Sequence, residues 1–137
     1  MLFRSIVDGQ ADFVIGSRFI TKKTNNYNSS FLRRVGIRLI SHIIYIFSGK
    51  RIYDTTSGFR AANHKVISYF ANHYPREYPE PVSSFELLEK GYKITEVPAT
   101  MHERTTGRSS IHSWKSAYYV INVILSIITI KLRRHHD

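Results

Sequence analysis

The segment of residues 54–60 contains the residue types best suited to chemistry. Its sequence, Asp-Thr-Thr-Ser-Gly-Phe-Arg, places a carboxylate, hydroxyl groups, a glycine and an arginine within seven positions. A glycine lets the backbone turn tightly beside a charged ligand, and such loops often carry binding residues. The same residues could instead begin a helix, with Asp54 or Ser57 as the N-cap. The local pattern leaves both interpretations open.

Composition limits the class of partner. The chain has 137 residues, 42% of them hydrophobic, which corresponds to one domain or a large piece of one with a real core. Its net charge of +10 favours a polyanionic partner: nucleic acid, nucleotide or lipid phosphates, or an anionic membrane surface. Cysteine is absent, which excludes disulfides, a thiol nucleophile and a zinc knuckle and is compatible with the reducing cytoplasm. The first residues do not form a signal-peptide pattern.

Two elements precede the 54–60 segment. Residues 11–18 predict a short buried strand ending in a glycine turn. Because ligands bind at the carboxyl ends of strands in open α/β sheets, Arg18 is either an anion contact or a solvated arginine. Residues 31–47 predict an amphipathic helix on which Arg34, Arg38 and His42 share one face, with Arg33 at its edge. That face is either simply solvated or able to grip a diphosphate.

The segments after residue 60 predict a further set of elements. Residues 61–74 contain a helix bounded by Pro75, and residues 78–81 hold Glu80 between two prolines, as an oriented side chain or a plain connection. A helix over residues 83–90, capped by Ser83 or Ser84, precedes a strand over residues 92–98. Residues 102–110 suit phosphate by composition, but they lack the P-loop pattern and metal-binding histidine spacing.

The C-terminal apolar segment predicts a helix at a surface. Residues 117–132 are shorter than the roughly 17–25 residues of a membrane-spanning helix. They carry a polar stripe of Asn122, Ser126 and Thr129, with Lys and Arg at both ends. The pattern fits an amphipathic helix lying on a bilayer or a partner, with basic flanks facing anionic headgroups. An ordinary core helix is the alternative.

In order and separation, four stretches resemble the C-terminal part of family 2 glycosyltransferases of the GT-A fold, especially the dolichyl- and polyprenyl-phosphate sugar synthases. The matching stretches are residues 11–18, 54–60, 78–81, and 96–98 followed by Glu103, Arg104, Gly107 and Ser109. The resemblance covers roughly residues 7 to 132. It implies an α/β fold that is part of a Rossmann-like nucleotide-diphospho-sugar transferase. Residues 1–114 would be the acceptor and diphosphate half, and residues 115–137 the membrane-interface helix.

The resemblance also implies an activity and roles. It implies inverting transfer of a sugar from a nucleotide sugar to a polyprenyl phosphate or other cell-envelope acceptor, aided by Mg²⁺ or Mn²⁺, at the cytoplasmic face of a membrane. Asp54 corresponds to the family's catalytic carboxylate, which takes a proton from the acceptor or orients it. The acceptor and diphosphate contacts implied are Arg18, Arg34, Arg60, Glu80, Arg104 and Ser109.

Two departures from the family pattern limit what the chain is expected to do alone. The nucleotide-binding half and its Asp-x-Asp metal motif are missing, as if the chain began just after them. Val82 stands where the family commonly has a second glutamate after residues 78–81. We therefore expect an inactive chain, or one that needs the missing half or another copy. Two other functions are alternatives to the glycosyltransferase interpretation. One is a non-enzymatic membrane-binding module, and the other is a nucleic-acid binder, for which the sequence has no recognition motif.

Overall fold

A computed structural model describes residues 2–20, 31–100 and 113–136 as a mixed α/β fold. The α/β class expected from the sequence is confirmed at this level. The elements, in chain order, are α1 (Leu2–Val7), β1 (Phe13–Ser17), α2 (Phe31–Ser48), β2 (Arg60–Ala62), α3 (His64–His73), α4 (Pro79–Glu89), β3 (Ile94–Pro98) and α5 (Ser113–His136).

The sheet has three strands in the order β2-β1-β3. The central strand β1 pairs antiparallel with β2 and parallel with β3, so that Phe13 lies opposite both Ala62 and Ile94. All five β1 residues are buried, which is why the strand reads as a continuous apolar run. The predicted glycine turn is wrong, because Gly16 lies inside the strand opposite Val97.

The two faces of β1 contact different apolar clusters, because successive side chains point to opposite sides of a sheet. Phe13 and Ile15 belong to the main core, to which α3 contributes Val66 and helices α2, α4 and α5 contribute the larger share. Fully buried members from those helices are Ile40, Ile44, Phe85, Leu87, Val123 and Ile127. Val14 faces the other way, in a small cluster that includes Leu2 of α1.

The middle of the chain differs from the sequence prediction in two places. Residues 60–62 form β2, which the sequence pattern does not predict. The helix predicted within residues 61–74 is confirmed as α3; it begins at His64, where the Asn63 side chain accepts a hydrogen bond from the Val66 N–H at 3.1 Å. Helix α4 begins at Pro79, so the proline-rich segment is its first turn and not a connection. The predicted caps at Ser83 and Ser84 are wrong, because both hydroxyls lie inside the helix and donate to the Glu80 carbonyl.

Helices α2 and α5 run side by side in the same direction. A Cβ atom on Gly36 would lie 2.7 Å from Val120, and the Lys131 ammonium donates a 2.8 Å hydrogen bond to the Phe47 carbonyl. Helix α5 is longer than predicted, and Trp114–His136 is long and apolar enough to cross a membrane by length and composition alone. A core helix of a soluble protein passes the same test.

Candidate functional site

Arg18 and Asp54 form the centre of the candidate site. The Asp54 carboxylate is fully buried and accepts hydrogen bonds from the Arg18 backbone N–H (2.9 Å), Nε (2.8 Å) and Nη2 (2.9 Å). Arg18 is only 6% exposed, so it is not a solvated arginine, and its Nη2 also reaches the Thr56 hydroxyl at 3.1 Å. A planar guanidinium paired with both oxygens of a carboxylate fixes orientation as well as charge. The Arg18–Asp54 pair therefore fixes the start of the 54–60 loop at the end of β1.

Further hydrogen bonds hold the segment after Asp54 in a non-helical path. The Ser57 hydroxyl donates to the Gly16 carbonyl at 2.6 Å, and the Gly16 N–H donates to the Phe59 carbonyl at 2.8 Å. The segment then enters β2 at Arg60. No helix begins at Asp54 or Ser57, so the N-cap interpretation is wrong.

Glu96, on β3, holds the loop from the other side. Its two carboxylate oxygens accept the backbone N–H groups of Tyr53 (2.9 Å) and Asp54 (2.8 Å). Burial raises the pKa of Glu96, and the two backbone hydrogen bonds act against that rise. The residue types alone do not indicate that Glu96 holds the loop. The one feature that could have indicated it is a carboxylate inside an otherwise alternating strand.

Arg60 connects the loop to the beginning of α4. Its guanidinium donates to the carbonyls of Ser57 and Glu80, each at 2.7 Å, and to the Ser83 hydroxyl at 2.8 Å. Burial lowers the pKa of Arg60 from its ordinary value, with Glu80 the largest opposing influence. The resemblance implies Arg60 as an acceptor or diphosphate contact, and in the structure its guanidinium holds the 54–60 loop against α4.

A cavity of about 420 Å³ lies beside the loop, between the first halves of α2 and α5. Its charged lining residues are positive Arg33 and Lys115 and negative Glu80. Its apolar wall and remaining lining are formed by Leu32, Gly36, Ile37, Ile40, Thr56, Ser116, Tyr119 and Val120. The lining therefore combines cationic groups that can bind an anion with apolar surface that can contact hydrocarbon.

Tyr119 is the phenol in this lining. Burial, followed by the negative charge of Glu80, raises the pKa of Tyr119 to about 12. The hydroxyl therefore stays protonated at neutral pH and can donate a hydrogen bond. The Tyr119 ring also packs edge-on against Tyr78, whose backbone is left-handed (φ 50°) immediately before α4.

The structure brings four of the predicted site residues together: Arg18, Asp54, Arg60 and Glu80. Arg34 is exposed on α2, and its neighbour Arg33 lines the cavity instead. Arg104 and Ser109 lie outside the described residues. The sequence pattern does not indicate Thr56, Lys115 and Tyr119 as lining residues. Lys115 and Tyr119 reach the cavity because α5 packs beside α2.

The described residues do not fit Mg²⁺ or Mn²⁺. Within residues 2–20, 31–100 and 113–136, no three His, Asp or Glu side chains are grouped closely enough to hold a metal ion. Asp54 and Glu96 are neighbouring carboxylates, but their oxygens are occupied by Arg18 and by backbone N–H groups. A hard cation needs several free oxygen ligands, which this cluster lacks.

Comparison with known proteins gives one distant similarity. No family model matches the chain, and no solved structure matches it. The chain is 28% identical over 116 residues to the uncharacterized protein MJ1222 of Methanocaldococcus jannaschii. The alignment covers 80% of this chain and 47% of that protein. The chain therefore spans about half the length of this relative.

Proposed function

We propose that the chain is the acceptor side of a family 2-like glycosyltransferase with a partial GT-A fold. The reaction is transfer of a sugar from a nucleotide sugar to a polyprenyl phosphate or another cell-envelope acceptor, at the cytoplasmic face of a membrane. One observation carries the proposal: the resembling stretches within the described residues converge beside a cavity lined by both cationic and apolar groups.

The contacts that hold the 54–60 loop support this assignment. The buried arginine at the carboxyl end of β1 holds the 54–60 loop, which is where ligand-binding loops lie in open α/β sheets. Glu96 of β3 and the first turn of α4 hold the same loop. Residues far apart in the chain thus cooperate to fix one short segment.

The cavity suits a phosphate that bears a hydrocarbon chain. Arg33 and Lys115 supply positive charge, and the Tyr119 phenol supplies a neutral donor. Leu32, Ile37 and Val120 supply apolar wall. A lipid phosphate is already largely ionised at neutral pH, so its attack on a sugar does not require proton removal.

In this reaction Asp54 is a positioning group. Its oxygens are bound by Arg18, and it is fully buried, so it holds the loop and does not receive the acceptor's proton. Thr56, two residues later, lines the cavity and is bound by the same guanidinium. The Arg18–Asp54 pair therefore also fixes the position of Thr56 in the lining of the cavity.

In this proposal, the nucleotide-sugar donor does not bind to the described residues. In the family that the chain resembles, Mg²⁺ or Mn²⁺ would stabilise the charge of a departing nucleoside diphosphate, and the described residues provide no site for either ion. We assign the nucleotide sugar and the metal to a complementary half, on a longer form of the protein, on a partner or on another copy. The similarity to less than half of a longer protein leaves room for such a half.

Two assays test the proposal together. The chain is incubated with radiolabelled nucleotide sugars, Mn²⁺ and a polyprenyl phosphate, and lipid-linked product is measured. We expect no product but saturable binding of a short polyprenyl phosphate. Robust turnover would contradict the assignment of the donor half to another component. A chain that binds vesicles but no polyprenyl phosphate would instead be a non-enzymatic membrane module.

A further inference from the structure

Strand β2 is an open edge of the sheet. The strand order is β2-β1-β3, so among the residues that the structure describes, β2 pairs with β1 on one side and with no strand on the other. The outer side of β3 is partly covered, since the Lys50 ammonium donates to the Ile94 carbonyl. An uncovered strand edge is a template for pairing with a further strand.

The hydrogen-bond pattern shows which backbone groups of β2 point outward. The Asn63 N–H, directly after β2, donates to the Asp12 carbonyl at 2.9 Å. In an antiparallel pair, hydrogen-bonded and non-bonded positions alternate, so Ala61 bonds to β1 whereas Arg60 and Ala62 do not. The N–H and C=O groups of Arg60 and Ala62 therefore point away from β1, toward the open edge.

The helices beside β2 expose apolar side chains on both faces of the sheet. Helix α1 contacts β2 on the face of the small cluster, and α3 contacts it on the face of the main core. Phe3 and Val7 lie four positions apart on α1, and Ile67 and Tyr74 lie seven apart on α3. Each pair thus shares one side of its helix. All four side chains are more than half exposed, so the open edge is flanked by helices with exposed apolar surface.

Charge near β2 is balanced, unlike that of the whole chain. Arg4 of α1 lies 4.0 Å from Asp8. Asp12, at the start of β1, has a lowered pKa, first because it accepts the Lys93 N–H and further because of the charge of Lys65 on α3. The whole chain carries twenty Lys and Arg against ten Asp and Glu. A second copy of this cationic chain is therefore repelled less at the β2 edge than over most of its surface.

A second copy of β2 fits this edge in one register. Two identical edge strands related by a two-fold axis through the sheet run antiparallel. With Ala61 on the axis, Arg60 of each copy lies opposite Ala62 of the other, and their outward N–H and C=O groups exchange hydrogen bonds in both directions. Arg60 then does not lie opposite its own copy, and only the small Ala61 side chains meet at the axis.

From these observations we propose that the β2 edge binds a second copy of this chain, in a two-fold dimer whose sheet continues through both copies. The interface consists of the β2 edge and the exposed apolar sides of α1 and α3. Because each 54–60 loop leads directly into β2, the two candidate sites lie on one sheet, on either side of the axis. The dimer does not depend on glycosyl transfer, since it uses only the β2 backbone and the outer sides of two helices.

A disulfide across the axis tests the register. The chain has no cysteine, so Ala61→Cys introduces a single thiol. Opposed residues without mutual hydrogen bonds in an antiparallel pair have Cα atoms about 4.5 Å apart, which suits a disulfide. We expect Ala61→Cys to form a covalent dimer under mild oxidation, and the control Thr95→Cys, exposed on β3, to form little. Equal cross-linking of the two variants would overturn the proposal.

Sedimentation equilibrium and amide hydrogen exchange test the dimer in the unaltered chain. We expect the mass of a dimer at high concentration, with the N–H groups of Arg60 and Ala62 protected only there. The Ala61 N–H, which bonds to β1, should be protected at every concentration. A monomer at all concentrations would overturn the proposal, whether these two amides exchange freely or are protected by another part of the chain. A dimer in which both exchange freely would overturn it as well.

A proline on the edge separates backbone pairing from side-chain contact. Ala62→Pro removes an outward N–H from each copy and leaves the bonds to β1 in place. It should weaken dimerisation about tenfold or more. The matched control Ala62→Gly keeps the N–H and should change the dissociation constant by less than about threefold. Equal dissociation constants for the two variants would contradict strand pairing. Should circular dichroism show that Ala62→Pro is unfolded, the disulfide and exchange measurements decide.

Discussion

Asp54 receives three hydrogen bonds from Arg18, a residue 36 positions earlier in the chain, and both groups are buried. The pair joins the end of β1 to the first residue of the 54–60 loop. A buried bidentate pair fixes geometry well, and both carboxylate oxygens of Asp54 already accept hydrogen bonds from Arg18. The residue with the most catalytic appearance in the sequence is therefore part of the framework of the site.

Breaking this pair from either side should strongly destabilise the fold. We expect Asp54→Asn and Arg18→Met each to lower the free energy of unfolding by about 3–5 kcal/mol, because each leaves a buried group without its partner. The double variant should lose much less than the sum of the two single variants. Urea denaturation followed by circular dichroism measures all three.

The exposed pair Arg4 and Asp8, 4.0 Å apart, provides the matched control. Arg4→Met should cost at most about 1 kcal/mol, because solvent screens exposed ion pairs. Equal losses for Arg4→Met and Arg18→Met would show that the buried pair is not special. Additive losses in the double variant would show that the two residues act separately.

Gly16 should tolerate no side chain. A Cβ atom there would lie 2.5 Å from the Phe59 ring and 3.1 Å from the Ala99 Cβ. We expect Gly16→Ala to lower the free energy of unfolding by about 1–3 kcal/mol through overpacking. Phe59→Leu should restore part of the loss. Gly58→Ala meets no atom within 4 Å and should change stability by no more than about 0.5 kcal/mol, and a similar cost for both substitutions would refute this explanation.

Glu96 should make stability depend on pH. Burial raises its pKa, so the folded state holds this proton more tightly than the unfolded state does. Its contribution to stability is therefore complete below the ordinary glutamate pKa and is lost as pH rises through the raised value. Comparing unfolding free energies of the wild type and Glu96→Gln across this range isolates the effect. We expect the wild type to lose stability relative to the variant as pH rises.

Glu77→Gln, at an exposed position, serves as the control for this pH series. It removes one exposed carboxylate and so controls for the change in net charge alone. A Glu96→Gln curve that is parallel to the wild type would mean that Glu96 ionises equally easily in both states.

Periodicity predicted the elements with long or alternating patterns well. The pattern predicts α2 and β3 because their apolar residues recur at helical or strand spacing, and β1 because its continuous apolar run is too short for a helix. Strand β2 was missed because three residues are too few to show a period. The prolines at residues 79 and 81 predict a connection, but they lie in the first turn of α4, where proline is well tolerated.

Only the part of the candidate site that lies in local motifs could be predicted from the sequence. Local motifs identified Arg18, Asp54, Arg60 and Glu80, which the structure brings together. They could not distinguish Arg33 from Arg34, because the choice depends on which side of α2 packs toward α5. Lys115 and Tyr119 come from a helix some sixty residues further on, so only tertiary packing reveals them.

The central claim, that the cavity binds a lipid phosphate, is tested most directly by calorimetric titration of the chain with farnesyl phosphate. We expect saturable binding, with no comparable binding of farnesol. Arg33→Met should weaken it about tenfold or more, since hydrogen bonds to charged groups contribute about 1.5–3 kcal/mol. Arg34→Met, one residue along and exposed, should leave the Kd within about twofold. Absence of saturable binding, or equal effects of the two substitutions, would contradict the account.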